Sequence, residues 1–154
     1  MKKKIFSFLI FLFLSSCGYE TVNSLKNRIK YDFAISELNF TGDREINLQI
    51  KQELNNYSRV EKDTIFILNI SSTSEKIILT KDSSGDPTNF KIQISIDVGF
   101  VSGDNLKGNF KFIESFNYNN DSNKFDLKSY EKRIKKNLAK TITEELIFKL
   151  STAQ

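Results

Sequence analysis

The chain has 154 residues, with 23 lysines and arginines against 19 aspartates and glutamates, one cysteine, 14 phenylalanines, and neither histidine nor tryptophan. A single cysteine excludes an internal disulfide, and the lack of histidine removes the commonest general base and metal ligand. The basic excess of four vanishes once the first 16 residues are set aside, because Lys2, Lys3 and Lys4 go with them and leave 20 basic against 19 acidic side chains; a nucleic-acid partner needs a basic footprint that such a balance does not supply.

Three lysines after Met1 precede an apolar run from Ile5 to Leu14, and small Ser15 and Ser16 precede Cys17. Charged, apolar and small regions in that order make a secretory signal. Ten residues interrupted by Ser7 are too few to span a bilayer, which takes roughly 17–25. The stretch Leu14-Ser15-Ser16-Cys17 resembles the bacterial lipobox. That resemblance implies that Cys17 receives lipid and becomes the mature N-terminus, and that the following Gly18 sorts the protein to the outer membrane. One acyl chain anchors only marginally, at about 0.8 kcal/mol per buried methylene, whereas the three chains that the resemblance implies make release rare. The expected organisation is a signal peptide over 1–16, a lipidated tether over 17–29, and one domain over 30–154, a size that suits a single core.

Within the domain, Tyr31, Phe33 and Ile35 alternate with polar or small residues, the period of a half-buried strand. Leu38 and Phe40 then change parity, which predicts a bulge near Ser36-Glu37. From Asp43 the period becomes helical: Ile46, Ile50, Leu54 and Tyr57 share one face, with Asp43 as N-cap and Leu48 alone on the far side. The run Ile65 to Ile70 is apolar on both parities and reads as a strand covered on each face. Ser71 to Ser74 is expected to interrupt it before Ile77-Ile78-Leu79 resumes. A turn follows over Asp82 to Pro87.

Phe90, Ile92, Ile94, Ile96, Val98 and Phe100 alternate without error, leaving the other face of that strand to water or a ligand. Phe110, Phe112, Phe116 and Tyr118 mark a fourth strand. Glu114 sits on its apolar parity, which calls for a bulge near Ile113 or a lysine partner. The longest stripe, Leu127, Tyr130, Ile134, Leu138, Ile142 and Leu146, predicts a helix capped by Asp126. Its last turn, Leu146 to Leu150, is apolar in several directions and is expected to be buried. The order β-α-β-β-β-α implies an α+β two-layer sandwich, a four-stranded, mostly antiparallel sheet with two helices on one face.

Catalytic and metal-binding patterns are missing. Asp82 and Asp86 flank a glycine as in part of a calcium loop, but the spaced carboxylates and terminal glutamate are absent, so a plain turn is expected. No phosphate loop and no nucleophile elbow occurs. The chain is expected to be a non-enzyme without cofactor or metal. Arg133, Lys136 and Lys140 lie opposite the apolar stripe of the last helix, where the pairs Glu131/Lys135 and Lys140/Glu144 suit a solvated face. Lys76, Lys81 and Lys91 fall around the Asp82–Pro87 turn, and convergence at one end of the sheet would let them hold phosphates of a lipid headgroup.

From the lipobox with Cys17-Gly18-Tyr19, through a strand, a helix and three strands with Phe/Ile alternation, to a closing helix with Glu131 near its start and Leu138, Ile142, Leu146 and Leu150 along it, the chain resembles the LPS-assembly lipoprotein family (LptE) over roughly residues 14 to 150. The Pro-rich tether common in that family is absent; Glu20-Thr21-Val22 stands there instead. The resemblance implies a plug inside the outer-membrane barrel LptD that assists its assembly and binds lipopolysaccharide, anchored by Cys17, with Lys76, Lys81 and Lys91 as candidate lipid contacts. A competing reading is a free-standing periplasmic lipoprotein, of pilotin or small-ligand-binding type, that uses the Phe-rich sheet as its site.

Overall fold

In the computed structural model, which describes residues 31–58, 62–103 and 106–153, four strands lie side by side in chain order. They are β1 (Phe33–Gly42), β2 (Thr64–Lys81), β3 (Pro87–Ser102) and β4 (Leu106–Asn119). Helix α1 (Arg44–Leu54), continued by a 3-10 turn Asn55–Tyr57, connects β1 to β2, and α2 (Lys124–Thr152) closes the chain. β1 pairs parallel with β2, and the other two ladders are antiparallel. The expected two-layer α+β sandwich is the observed one. The predicted signal peptide, the tether and Cys17 lie outside the described residues.

The alternation rule places the core. Phe66, Leu68 and Ile70 of β2 and the even-numbered residues Phe90 to Phe100 of β3 are buried on one face, under Ile46, Ile50 and Leu54 of α1 and Leu127, Ile134, Ile142, Leu146 and Leu150 of α2. At one end of that face, rings cross all four strands. Tyr57 stacks on Phe33 at 5.2 Å, Phe33 meets Phe66 edge-on at 5.6 Å, Phe66 meets Phe100 at 5.8 Å, and Phe100 stacks on Phe110 at 4.9 Å. Offset and edge-to-face pairs of this kind contribute about 0.5–1.5 kcal/mol each beyond burial.

The predicted bulge falls at Ser36, where the β1–β2 register slips between Ile35 and Glu37. That slip lets Phe33 and Ile35 before it and Leu38 and Phe40 after it all face the helices. Two expectations about β2 fail. Its odd parity is not covered, since Ile65 and Ile67 are 48% and 36% exposed. Nor does Ser71 to Ser74 break it, for β2 runs uninterrupted over 18 residues. The serines have another use. Ser72 is fully buried and donates to Asn47 Oδ1 at 2.7 Å, while Ser74 donates to Asp43 Oδ2 at 2.5 Å, so both tie the start of α1 to the sheet.

Asp43 caps α1 as predicted, its Oδ1 accepting from the amides of Glu45 at 2.9 Å and Ile46 at 3.3 Å. The cap of α2 is Asn123 and not Asp126. Asn123 Oδ1 accepts from the Phe125 and Asp126 amides, and its side-chain amide donates to Asp126 Oδ2 at 2.6 Å, leaving Asp126 in the first turn. Asparagine caps as well as aspartate does, and this one stands three residues before the predicted cap. The β3–β4 ladder is unbroken, so there is no bulge at Ile113. Glu114 faces the helix side half-buried, and its place on an edge strand keeps water within its reach. In the last turn of α2, Leu146, Ile147 and Leu150 are buried, while Phe148 is 54% exposed.

Candidate functional site

The three lysines singled out by sequence do not share a surface. Lys76 pairs with Ile92 across the ladder and so points to the helix side. There its ammonium lies 2.6 Å from Glu131 Oε1 and 3.8 Å from the centre of the Phe90 ring. Lys91 stands between buried Phe90 and Ile92, so alternation sends it to the opposite face, beside Ile77. Lys81 ends β2, exposed, opposite Pro87. Lys81 and Lys91 border the turn as expected, whereas Lys76, half-exposed, is tied to α2 at the margin of the two-layer contact.

Glu131 is the centre of that contact. The Tyr118 hydroxyl donates to the same Oε1 at 2.7 Å, so one carboxylate joins β2, β4 and α2. Partial burial pushes the Glu131 carboxyl up, but the hydrogen bonds from Lys76 and Tyr118, with the charges of Lys76 and Lys135, outweigh it and hold the group below the usual glutamate range. Burial first, and then the Glu131 carboxylate, push the Tyr118 phenol up. Sequence reading paired Glu131 with Lys135 along the helix; the fold gives it Lys76 instead, and sets Lys135 3.9 Å from Asp43. No local pattern could show this pair, which is 55 residues apart.

The other face of the sheet carries no helix among the described residues and is mixed: Lys91, the Asp97–Lys111 pair at 3.6 Å and exposed Ile65, Ile67 and Ile113 surround a polar centre. Asn39, Asn69, Gly99 and Asn109 are register partners and make one row across all four strands. Asn39 donates to Asn69 Oδ1 at 3.2 Å and to Glu37 at 3.0 Å. Gly99 keeps the middle of the row low, since a Cβ there would meet Asn109 Oδ1 at 3.3 Å. Thr73, Ser95, Gln93 and Ser115 continue the polar surface toward the turn. The centre of that face can make several neutral hydrogen bonds with little charge to desolvate.

The aspartate loop is a turn. Asp82 Oδ1 accepts from the amides of Ser84 and Asp86 at 2.9 Å, and Gly85 takes the positive φ of 91°. Among the described residues no group of three or more His, Cys, Asp or Glu side chains is placed to hold a metal.

No protein-family model matches the chain, and no curated protein matches it. Solved structures do share its fold. A rare lipoprotein B from Shewanella oneidensis gives a TM-score of 0.54 at 13% identity, over 75% of this chain and 97% of that one. An uncharacterized lipoprotein B from Nitrosomonas europaea gives 0.53 at 13% identity, over 80% and 88%. A minor lipoprotein from Acinetobacter baumannii gives 0.53 at 12% identity, over 79% and 92%. At these identities the likeness is one of fold.

Proposed function

We propose that the chain is an outer-membrane lipoprotein, anchored through Cys17 on the periplasmic side, that acts as plug and assembly partner of an LptD-type barrel in lipopolysaccharide transport and binds lipopolysaccharide. It acts as a structural and binding subunit without catalysis. The observation that carries this reading is the joint occurrence of the lipobox Leu14-Ser15-Ser16-Cys17 with a fold shared by three lipoproteins.

The open face supports the barrel partner. Barrel interiors are polar, and a plug must offer them hydrogen bonds and no large apolar area. The Asn39–Asn69–Gly99–Asn109 row with its serine and threonine neighbours offers such hydrogen bonds at the middle of the face, with exposed Ile65, Ile67 and Ile113 beside it. For lipid contact the geometry favours Lys81 and Lys91 at the turn, while Lys76 holds the hairpin against α2. The small-ligand alternative needs an accessible Phe-rich sheet, but Phe33, Phe66, Phe90, Phe100 and Phe112 are all buried.

Detergent extraction followed by affinity purification of the tagged lipoprotein tests the reading. A large outer-membrane barrel recovered in near-equal amount is expected; recovery of the lipoprotein alone would overturn it.

A further inference from the structure

Helices α1 and α2 lie side by side on the sheet and leave between them a groove of ≈ 700 Å³ lined by Arg44, Leu48, Lys128, Lys132, Lys135 and Lys136, with Glu45 and Glu131. Five cations thus face two carboxylates, on a chain whose predicted mature charge is close to neutral. The carboxylates are engaged: Glu131 by Lys76 and Tyr118, and Glu45 by Lys132 at 3.8 Å. Among the described residues Arg44, Lys128 and Lys136 have no carboxylate oxygen within 4 Å, although all three are exposed.

Arg44 is also in the wrong place for its own helix. As the first residue of α1 it puts a cation where the helix dipole disfavours one. Lys128 and Lys136 stand eight residues apart on α2, about 12 Å along its axis at 1.5 Å per residue. Between these charges the groove has an apolar wall, Leu48, which sits off the buried face of α1 and is 51% exposed.

We propose that this groove binds the headgroup of a phosphorylated lipid, Arg44, Lys128 and Lys136 meeting the phosphate oxygens and Leu48 the apolar part of the molecule. Lysines suit phosphate as mobile point charges, and arginine adds a forked donor. An acidic peptide would be met by the cations alone and would leave Leu48 in water; an amphiphile uses both. The assignment rests on the lipid-binding half of the reading above and is independent of the barrel.

Full-length protein in a neutral maltoside would be titrated with monomeric dihexanoyl phosphatidylglycerol, dihexanoyl phosphatidylcholine and inorganic phosphate. Phosphatidylglycerol should bind about tenfold or more tighter than the other two. A triple variant, Arg44→Gln, Lys128→Gln and Lys136→Gln, should lose that preference with an unchanged melting curve, since among the described residues none of the three has a carboxylate oxygen within 4 Å. Leu48→Gln should weaken both lipids and leave inorganic phosphate as it was. Parental phosphatidylglycerol affinity in the triple variant, or inorganic phosphate binding as tightly as phosphatidylglycerol, would overturn the assignment. Barrel recovery from the same variant reports separately on the plug.

Discussion

Lys76 on β2 and Glu131 on α2 approach to 2.6 Å, and Tyr118 on β4 shares the same carboxylate oxygen. Removing the acceptor strands two donors in a partly covered site, so Glu131→Ala should cost about 1–3 kcal/mol in urea denaturation. Lys76→Met keeps an apolar stem over the Phe90 ring and removes a pair whose lysine is half-exposed, so its cost should stay below about 1 kcal/mol. Equal costs for the two variants would show that charge alone, without Tyr118, sets the contact.

Acid should find the same place. Glu131 and Asp43 both have carboxyls held below the ordinary range, because bonds from neighbouring donors and the Lys135 charge outweigh the desolvation that raises them. A folded-state value below the unfolded one means stability that is complete above about pH 4 and drains away as pH falls through the lower folded value. Urea midpoints measured from pH 6 down to pH 2 should therefore fall below about pH 4. Glu131→Gln with Asp43→Asn should flatten that decline.

Asp43 gives a more local test. Its carboxylate caps α1 with one oxygen and accepts from Ser74 with the other. Asp43→Ala should cost about 1–2 kcal/mol, whereas Asp43→Asn, still able to cap, should cost a fraction of that. A large loss in the asparagine variant would mean that the charge near Lys135 outweighs the cap.

Where the chain leaves β1, Gly42 has φ of 92°, and a Cβ there would come within 1.9 Å of the Ser72 carbonyl oxygen, which itself accepts from the Asp43 amide at 3.0 Å. Gly42→Ala must move backbone, so it should cost more than the roughly 1 kcal/mol of a simple glycine effect. Gly85→Ala, with nothing within 4 Å of the added methyl, carries only the strain of its φ. Thermal melts of the pair would separate clash from conformation.

For the proposed plug, the sensitive place is the middle of the open face. Asn69→Arg puts a long cation on an exposed position of the asparagine row. The variant should fold, yet co-purify with several-fold less barrel, because a buried unpaired charge at an interface is costly. Unchanged recovery would move the barrel contact to another surface. Lys81→Ala with Lys91→Ala should weaken retention on immobilised lipopolysaccharide and leave barrel recovery intact.

Periodicity carried most of the architecture because its signal is local. The Phe90 to Phe100 alternation and the Ile46-Ile50-Leu54 spacing needed only neighbours a few residues apart, and the bulge at Ser36 showed as a change of parity. What stayed hidden was set by partners far along the chain. Ile65 and Ile67 look like core residues in a run that is apolar on both sides, and only the placement of both helices on one face leaves them exposed. Ser72 and Ser74 look like a break, and become anchors only when α1 starts beside them. Lys76 resembled a surface lysine until α2 folded back across β4. The groove was half visible: Leu48 was noted as out of place, but nothing in the sequence said that α2 would lie against it.

The parallel pairing of β1 with β2 also makes the first strand wait for its partner. β2, β3 and β4 follow one another through short links and can zip as a meander with α2 on top, while β1, among the described residues, is an edge strand whose ladder is to β2. The first strand of the domain to be made must therefore wait for a partner across the whole of α1, since Thr64–Ser72 must exist before Phe33, Ala34 and Ile35 find cover. During that interval the apolar start of the domain and an open edge of β2 are exposed together, so the time spent half-assembled, more than the final stability, sets this chain's exposure to aggregation.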